Sequence, residues 1–201
     1  MGKPIRVVVA GGPSCGKTSM LERLIYNNYD PDKKMFPTQE DIYLGQIDVR
    51  NRLENLHIHD TSGEEWIKTA SPPRHLCYYG EGFLLVCDIT SEDSFNQIKK
   101  IKKEIEKELN KNSPTLPMCV AAMKCDMEEQ VKRNSKLKKA CFPNIRASNK
   151  GGKDRLNILT FQRAVDVRVA ESWAMTEKVK HFNVSVMNRG ELAEPLCKQR
   201  I

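Results

Sequence analysis

Long apolar runs are missing from this 201-residue chain. Its most useful ones, "FLLVC" and "CVAAM", fall far short of the ~20 residues needed to cross a bilayer. A secretory signal is missing too, because "RVVVAGG" reads as a strand and a turn. Gly2 lacks the Ser or Thr that myristoylation prefers at position 6, and Cys197 lies one residue too far from the end for prenylation. The seven cysteines form no Cys-x-x-Cys pair, and their odd number argues for reduced thiols, so neither a disulfide framework nor zinc is expected. These absences predict a cytoplasmic protein with no stable membrane anchor.

Charge is out of balance in one place only. Residues 131–163 hold ten Lys or Arg against one Asp, and the remaining 23 basic and 25 acidic residues nearly cancel. A basic excess confined to one segment gives no ground for nucleic-acid binding by the fold as a whole. That segment carries Pro143 and Gly151-Gly152 with little periodicity. It reads as a solvated surface insertion in a single domain spanning 1–201, with contact to an acidic partner or a membrane surface as the alternative.

Elsewhere strand and helix patterns alternate. Ile5–Ala10 is a short buried-type strand, and Met20, Leu21, Leu24 and Ile25 predict a helix over about 17–27. "IYLGQIDVR" and "NLHIHD" read as neighbouring strands with a hairpin across Asn51. His57 and His59 alternate there and read as a solvated strand face, with nothing nearby to complete a metal site. "GFLLVCDIT" and "LPMCVAAMKCD" are continuous apolar strands of the central type. Between them an amphipathic helix is expected, with Ile98, Ile101, Ile105 and Leu109 inside and its lysines outside. Val165, Val169 and Trp173 mark a later helix, "HFNVSV" a last strand, and a short helix follows. The expected fold is α/β: three layers, a mostly parallel six-stranded sheet with helices on both faces.

Gly11, Gly16, Lys17 and Thr18 satisfy G-x-x-x-x-G-K-[ST], which arises by chance in roughly one chain of this length in a hundred. Here it also follows a β-branched strand and opens a helix. The loop through Gly11, Gly12, Pro13, Ser14, Cys15 and Gly16 to Lys17, Thr18 and Ser19 is therefore a candidate phosphate cradle. Its N–H groups and the helix N-terminus face the anion, Lys17 reaches β and γ oxygens, and Thr18 ligates Mg²⁺. Asp60, ending the strand "NLHIHD", can hold that metal through water, and Gly63 can offer its N–H to a γ-phosphate. In "MKCD", Lys124 can lie along a base and Asp126 can accept from the paired N–H groups that guanine has and adenine lacks. GTP or GDP with Mg²⁺ is the ligand these motifs predict.

In this order the motifs resemble those of the Ras-like small GTPases. "GGPSCGKTS", "PTQEDIY", "DTSGEE", "MKCD" and "NVSV" stand where that family keeps its five guanine-nucleotide motifs. The resemblance implies a P-loop NTPase fold of Ras type. It makes Thr38 the switch I threonine that closes on Mg²⁺ and the γ-phosphate, and Asp60–Glu64 switch II. Ser185, with Val186, would support the base-side loop. "TQEDIYLGQI", "PPRHLCYYGEGFLLV", "SFNQIKKIKKEI" and "TEKVKHFNVSV" are similar to the kappaB-Ras branch, the NF-kappa-B inhibitor-interacting Ras-like proteins, over 4–130 and about 164–197. The segment between has no counterpart in that resemblance. The branch implies a monomeric signalling regulator without a lipid anchor. It binds inhibitor-of-NF-kappa-B proteins and restrains their degradation, with regulatory partners meeting the switches around Thr38–Tyr43 and Glu64–Tyr79.

Three residues depart from the family pattern. Pro13 stands where hydrolysing members have glycine; it removes an N–H, fixes φ at about −65° and crowds the γ-phosphate. Glu64 replaces the glutamine that positions the attacking water. A carboxylate ~4 Å from a phosphate charge is repelled by roughly 1–4 kcal/mol, so Glu64 is a weak catalytic residue beside Thr38. Met123 replaces the asparagine that braces the base-binding loops. Slow or impaired hydrolysis is the expectation. Trp66 reads either as core or as an exposed partner anchor. Two other classes stay open: a nucleotide-insensitive scaffold that keeps the fold, and a P-loop kinase, which the Lys-rich rather than Arg-rich insertion disfavours.

Overall fold

The computed structural model describes residues 3–32, 36–49, 51–68, 72–109, 116–127 and 164–197; the basic segment 131–163 lies outside them. β1 (Ile5–Ala10) leads into α1 (Lys17–Tyr26), then come β2 (Glu40–Asp48), β3 (Leu53–Thr61) and two short helices, α2 (Glu65–Lys68) and α3 (Arg74–Tyr79). β4 (Gly82–Asp88), α4 (Glu92–Glu108), β5 (Met118–Met123), α5 (Val167–Thr176), β6 (Lys180–Asn183) and α6 (Arg189–Cys197) complete the order. The six strands form one sheet ordered β2-β3-β1-β4-β5-β6. Only β2 and β3 pair antiparallel; every other neighbouring pair is parallel.

The apolar runs explain this order. Every residue of β4 and of β5 is buried, as strands covered on both faces require. Alternate side chains feed two cores. One holds Val8, Phe83, Leu85 and Val120 against Ile98, Ile101 and Ile105 of α4. The other holds Val7, Val9, Leu84 and Ile58 against Met20, Leu21 and Leu24 of α1. Each such side chain contributes on the order of 1.5–3 kcal/mol by leaving water. Asn51 takes φ 64° in the turn from β2 to β3, with its N–H on Asp48 Oδ1 at 2.8 Å. Ser91 caps α4 by accepting from the Ser94 N–H at 3.2 Å.

Three expectations need correction. Lys102 is not on a solvated face: it is 2% exposed, with its ammonium between Glu106 and Glu177 at 2.6 and 2.7 Å. Those two carboxylates outweigh the cost of burial. Val169 is 56% exposed, because α5 packs through the smaller Ala170 and Ala174, while Val165 precedes the helix and is buried. His59 is not solvated either. Its side chain is 12% exposed, edge-on to Tyr79 with ring centroids 5.4 Å apart. Trp66 belongs to the core: it is 2% exposed and its indole N–H donates to Thr61 Oγ1 at 2.7 Å. No helix among the described residues is long and apolar enough to cross a membrane.

Candidate nucleotide site

β1 lies between β3 and β4, so the sheet grows outward from it in two directions. Loops leaving the carboxyl ends of these parallel strands open onto a shared crevice, where ligands of open α/β sheets bind. A cleft of about 730 Å³ lies there. Pro13, Ser14 and Gly16 to Ser19 line it from the first loop, and Pro37 to Gln39 from the approach to β2. Thr61 to Glu64 line it from the end of β3, and Lys124 from the end of β5.

The first loop has the shape its residues dictate. Gly16 takes φ 98°, a left-handed conformation that glycine adopts without strain, immediately before α1. Lys17 is buried, and its Nζ donates to the carbonyls of Gly11 at 3.0 Å and Gly12 at 2.9 Å. The ammonium thus spans the loop. Cys15 turns its thiol into the core beside α1, where burial pushes its pKa up. Gly63 is pressed onto the same loop: a Cβ there would lie 2.5 Å from Pro13 N and 2.6 Å from the Gly12 carbonyl carbon. Pro13 itself is exposed at the rim.

Oxygen atoms converge beside the loop. Thr18 Oγ1 lies 2.7 Å from Thr38 Oγ1 and donates to Asp60 Oδ2. Asp60 is fully buried, and its Oδ1 has no hydrogen-bond partner among the described residues. Burial raises its pKa, against the opposing pull of the Thr18 hydroxyl and the Lys17 charge. A bare buried carboxylate oxygen beside two hydroxyls is a donor set that suits a hard dication, so these residues fit Mg²⁺. Glu64 is paired instead with Lys68 one helical turn on, at 2.5 Å.

The residues expected to meet a base come from the next strand ends. Lys124, at φ 68°, donates to Ser14 O at 3.4 Å and to Asp88 Oδ2 at 2.5 Å. Asp88, which holds Lys124 at the edge of the cleft, is a residue that sequence reasoning missed; its one signal is an acid closing an otherwise apolar strand. Ser185 Oγ donates to Asp126 Oδ1, and the Cys125 N–H reaches Val184 O at 3.5 Å, which joins the loops after β5 and β6. The Val186 side chain packs on the α1 core. Asp126, Ser185 and Val186 stand apart from the cleft lining, and Lys124 is the link between the two groups. Met123 is fully buried, its methyl 3.7 Å from where a Cβ on Gly16 would sit. It fills space behind the loop that a polar side chain would have to satisfy with hydrogen bonds.

Residues 6–198 match the Ras family. The chain is 37% identical over 196 residues to NF-kappa-B inhibitor-interacting Ras-like protein 2 of Homo sapiens, covering 97% of this chain and 84% of that one. Identity is 34% to the Gallus gallus protein of the same name over the same shares. It is 32% to NF-kappa-B inhibitor-interacting Ras-like protein 1 of Mus musculus, over 97% of this chain and 83% of that one. Ras-family GTPases bind GTP and GDP with Mg²⁺ generally. The chain belongs to the Ras family of GTP-binding regulators, in the branch of the NF-kappa-B inhibitor-interacting Ras-like proteins.

Proposed function

We propose that this chain binds GTP or GDP with Mg²⁺ in the cleft, hydrolyses GTP slowly, and acts by docking on other proteins. The meeting of Thr18, Thr38 and Asp60 beside the glycine loop carries the reading. The N–H groups from Ser14 to Ser19 and the start of α1 take the phosphates, with Lys17 moving onto them from the carbonyls of Gly11 and Gly12. Gly63 adds its N–H. Thr18, Thr38 and, through water, Asp60 hold Mg²⁺, which neutralises phosphate charge when bound. Asp126 accepts from the guanine N–H groups, Lys124 covers the base, and Ser185 with Val186 supports the loop. Asp88 anchors Lys124.

Slow hydrolysis follows from two side chains. The Glu64 carboxylate pairs with Lys68, and the γ-phosphate charge opposes its approach to an attacking water. Pro13 stands at the rim with Gly63 pressed against it, which leaves little room for an arginine supplied by another protein. A nucleotide-insensitive scaffold is the second reading, and Met123 in the place of a bracing asparagine is the observation that favours it.

Exposed apolar side chains lie in both switch regions: Ile42 and Leu44 on β2, Ile67 on α2 and Tyr78 on α3. Aromatic and aliphatic anchors of this kind carry binding energy at interfaces. The relatives are named for interaction with NF-kappa-B inhibitors, and we take proteins of that type as the partners here, their degradation restrained by the contact. The chain acts as a monomer in the cytoplasm; none of the described cysteines is in a disulfide, as a reducing compartment keeps them. Single-turnover GTP hydrolysis tests the mechanism. Pro13→Gly with Glu64→Gln raises the rate about tenfold or more, the equivalent of removing ~1.4 kcal/mol of repulsion and crowding. Equal rates in the wild type and the double variant overturn it.

A further inference from the structure

Gly12 has no room for a side chain, although its backbone would accept one. It lies outside the left-handed region that Gly16 occupies. A Cβ at Gly12 would lie 2.0 Å from Oε1 of Gln97 and 3.6 Å from Cδ1 of Ile67. Gln97 is half-buried on α4, whose Phe95 and Ile98 are fixed in the core on either side of it in sequence. Its carboxamide therefore takes the space of a side chain at 12, and it does so from a helix anchored to the sheet.

We propose that Gln97 is a positioning residue for the phosphate loop: by filling the space beside Gly12 it sets how long a bound nucleotide stays. The inference rests on the nucleotide reading above and names a residue outside the cleft lining. Gly11 is held from β4, since a Cβ there would lie 2.2 Å from the Val86 carbonyl oxygen. Gly63 presses on the Gly12–Pro13 peptide, and Gln97 fixes Gly12 itself. Ile67 of α2 reaches the same point, so switch II and the loop share one packing contact with α4.

The contact matters most when the site is loaded. In the structure Lys17 Nζ ties the loop by its bonds to the Gly11 and Gly12 carbonyls. Once Lys17 turns to the phosphates that tie is lost, and Pro13 has no N–H to offer in its place. Packing from Gly63 and Gln97 then holds the Gly12–Pro13 peptide, and with it the N–H groups that follow. Their placement is exacting, because a shift of ~1 Å takes an N–H···O contact from about 2.9 Å to beyond hydrogen-bond range. In the sequence Gln97 is only a polar residue beside the apolar stripe of α4, and nothing there announces its contact with a loop 85 positions earlier.

Release of fluorescently labelled GDP from the full chain, chased with unlabelled GDP in Mg²⁺, tests the proposal. Gln97→Ala releases GDP about tenfold faster than the wild type. Gly12→Ala does the same, because its methyl group expels the carboxamide. The double variant is also about tenfold faster rather than about 100-fold, since both changes remove one contact. Gln97→Met, of matching length, stays within about twofold of the wild type. The Tm of Gln97→Ala moves by no more than about 2 °C, which separates faster release from loss of fold. Unchanged release from Gln97→Ala, multiplying effects in the double variant, or Gln97→Met as fast as Gln97→Ala overturns this proposal alone. A wild type that binds no GDP overturns the nucleotide reading and this proposal with it.

Discussion

The Thr18 hydroxyl donates to Asp60 Oδ2 across 2.5 Å, between residues 42 apart in the sequence. This contact is what the first strand, its loop and the β2–β3 pair combine to produce. It also sets a stability cost. Burial holds the Asp60 pKa above its ordinary value near 3.8, so the folded state binds a proton more tightly than the unfolded one. Ionisation therefore opposes folding, and metal-free protein loses stability as pH rises from about 3.8 through the raised value.

Asp60→Asn removes that cost. We expect the metal-free variant to be more stable at neutral pH, with a higher Tm, while Mg²⁺-dependent nucleotide binding is lost. Thermal melts with EDTA, beside binding with Mg²⁺, measure both. A lower Tm would contradict the account of Asp60.

Lys102 has the opposite sign. Burial works to lower its pKa, but the Glu106 and Glu177 carboxylates outweigh burial and hold it above the ordinary 10.5. Its contribution is fully present below about pH 10.5 and is lost as pH rises through the higher folded value. Lys102→Ala leaves two partly exposed carboxylates without their cation and a cavity beside α4. The expected loss is about 1–3 kcal/mol in urea unfolding at pH 7, less than for a fully buried pair because water still reaches both acids. The deficit shrinks at pH 11.

Trp66 and Tyr78 separate core from contact surface within switch II. Trp66→Ala opens a cavity and takes one donor from the Thr61 hydroxyl, which keeps its bond to the Val9 carbonyl, for about 3–5 kcal/mol. Tyr78 is 66% exposed, so Tyr78→Ala leaves stability within about 0.5 kcal/mol and weakens partner binding instead. Chemical denaturation and pull-down of inhibitor-of-NF-kappa-B proteins distinguish the two. A stable Trp66→Ala protein with lost binding would reverse the assignment.

The strand–loop–helix from Ile5 to Tyr26 was legible because every residue type there answers a local demand: β-branched strand, glycine turn, helix opened by a lysine. β4 and β5 were legible as unbroken apolar runs. What stayed hidden depended on partners far along the chain. Lys102 reads as an outer-face lysine until Glu177, 75 residues on, is folded beside it. Asp88 gains its meaning from Lys124, 36 residues later. Val169 follows helical spacing from Val165, yet α5 begins only at Val167, with Asp166 accepting from the Arg168 N–H as its cap, so the buried stripe falls on alanines. His59 shares a strand face with His57, but only the packing of Tyr79 and Glu40 shows that one of them is enclosed.

Equilibrium binding of labelled GDP and GTP, with and without Mg²⁺, tests the central claim most directly when the wild type is run beside Lys17→Ala. The account predicts saturable, Mg²⁺-dependent binding that prefers guanine to adenine. It predicts a loss of roughly 10- to 100-fold in the variant, as removal of charge-assisted hydrogen bonds implies. Absence of saturable binding, or equal affinity in Lys17→Ala, would contradict it.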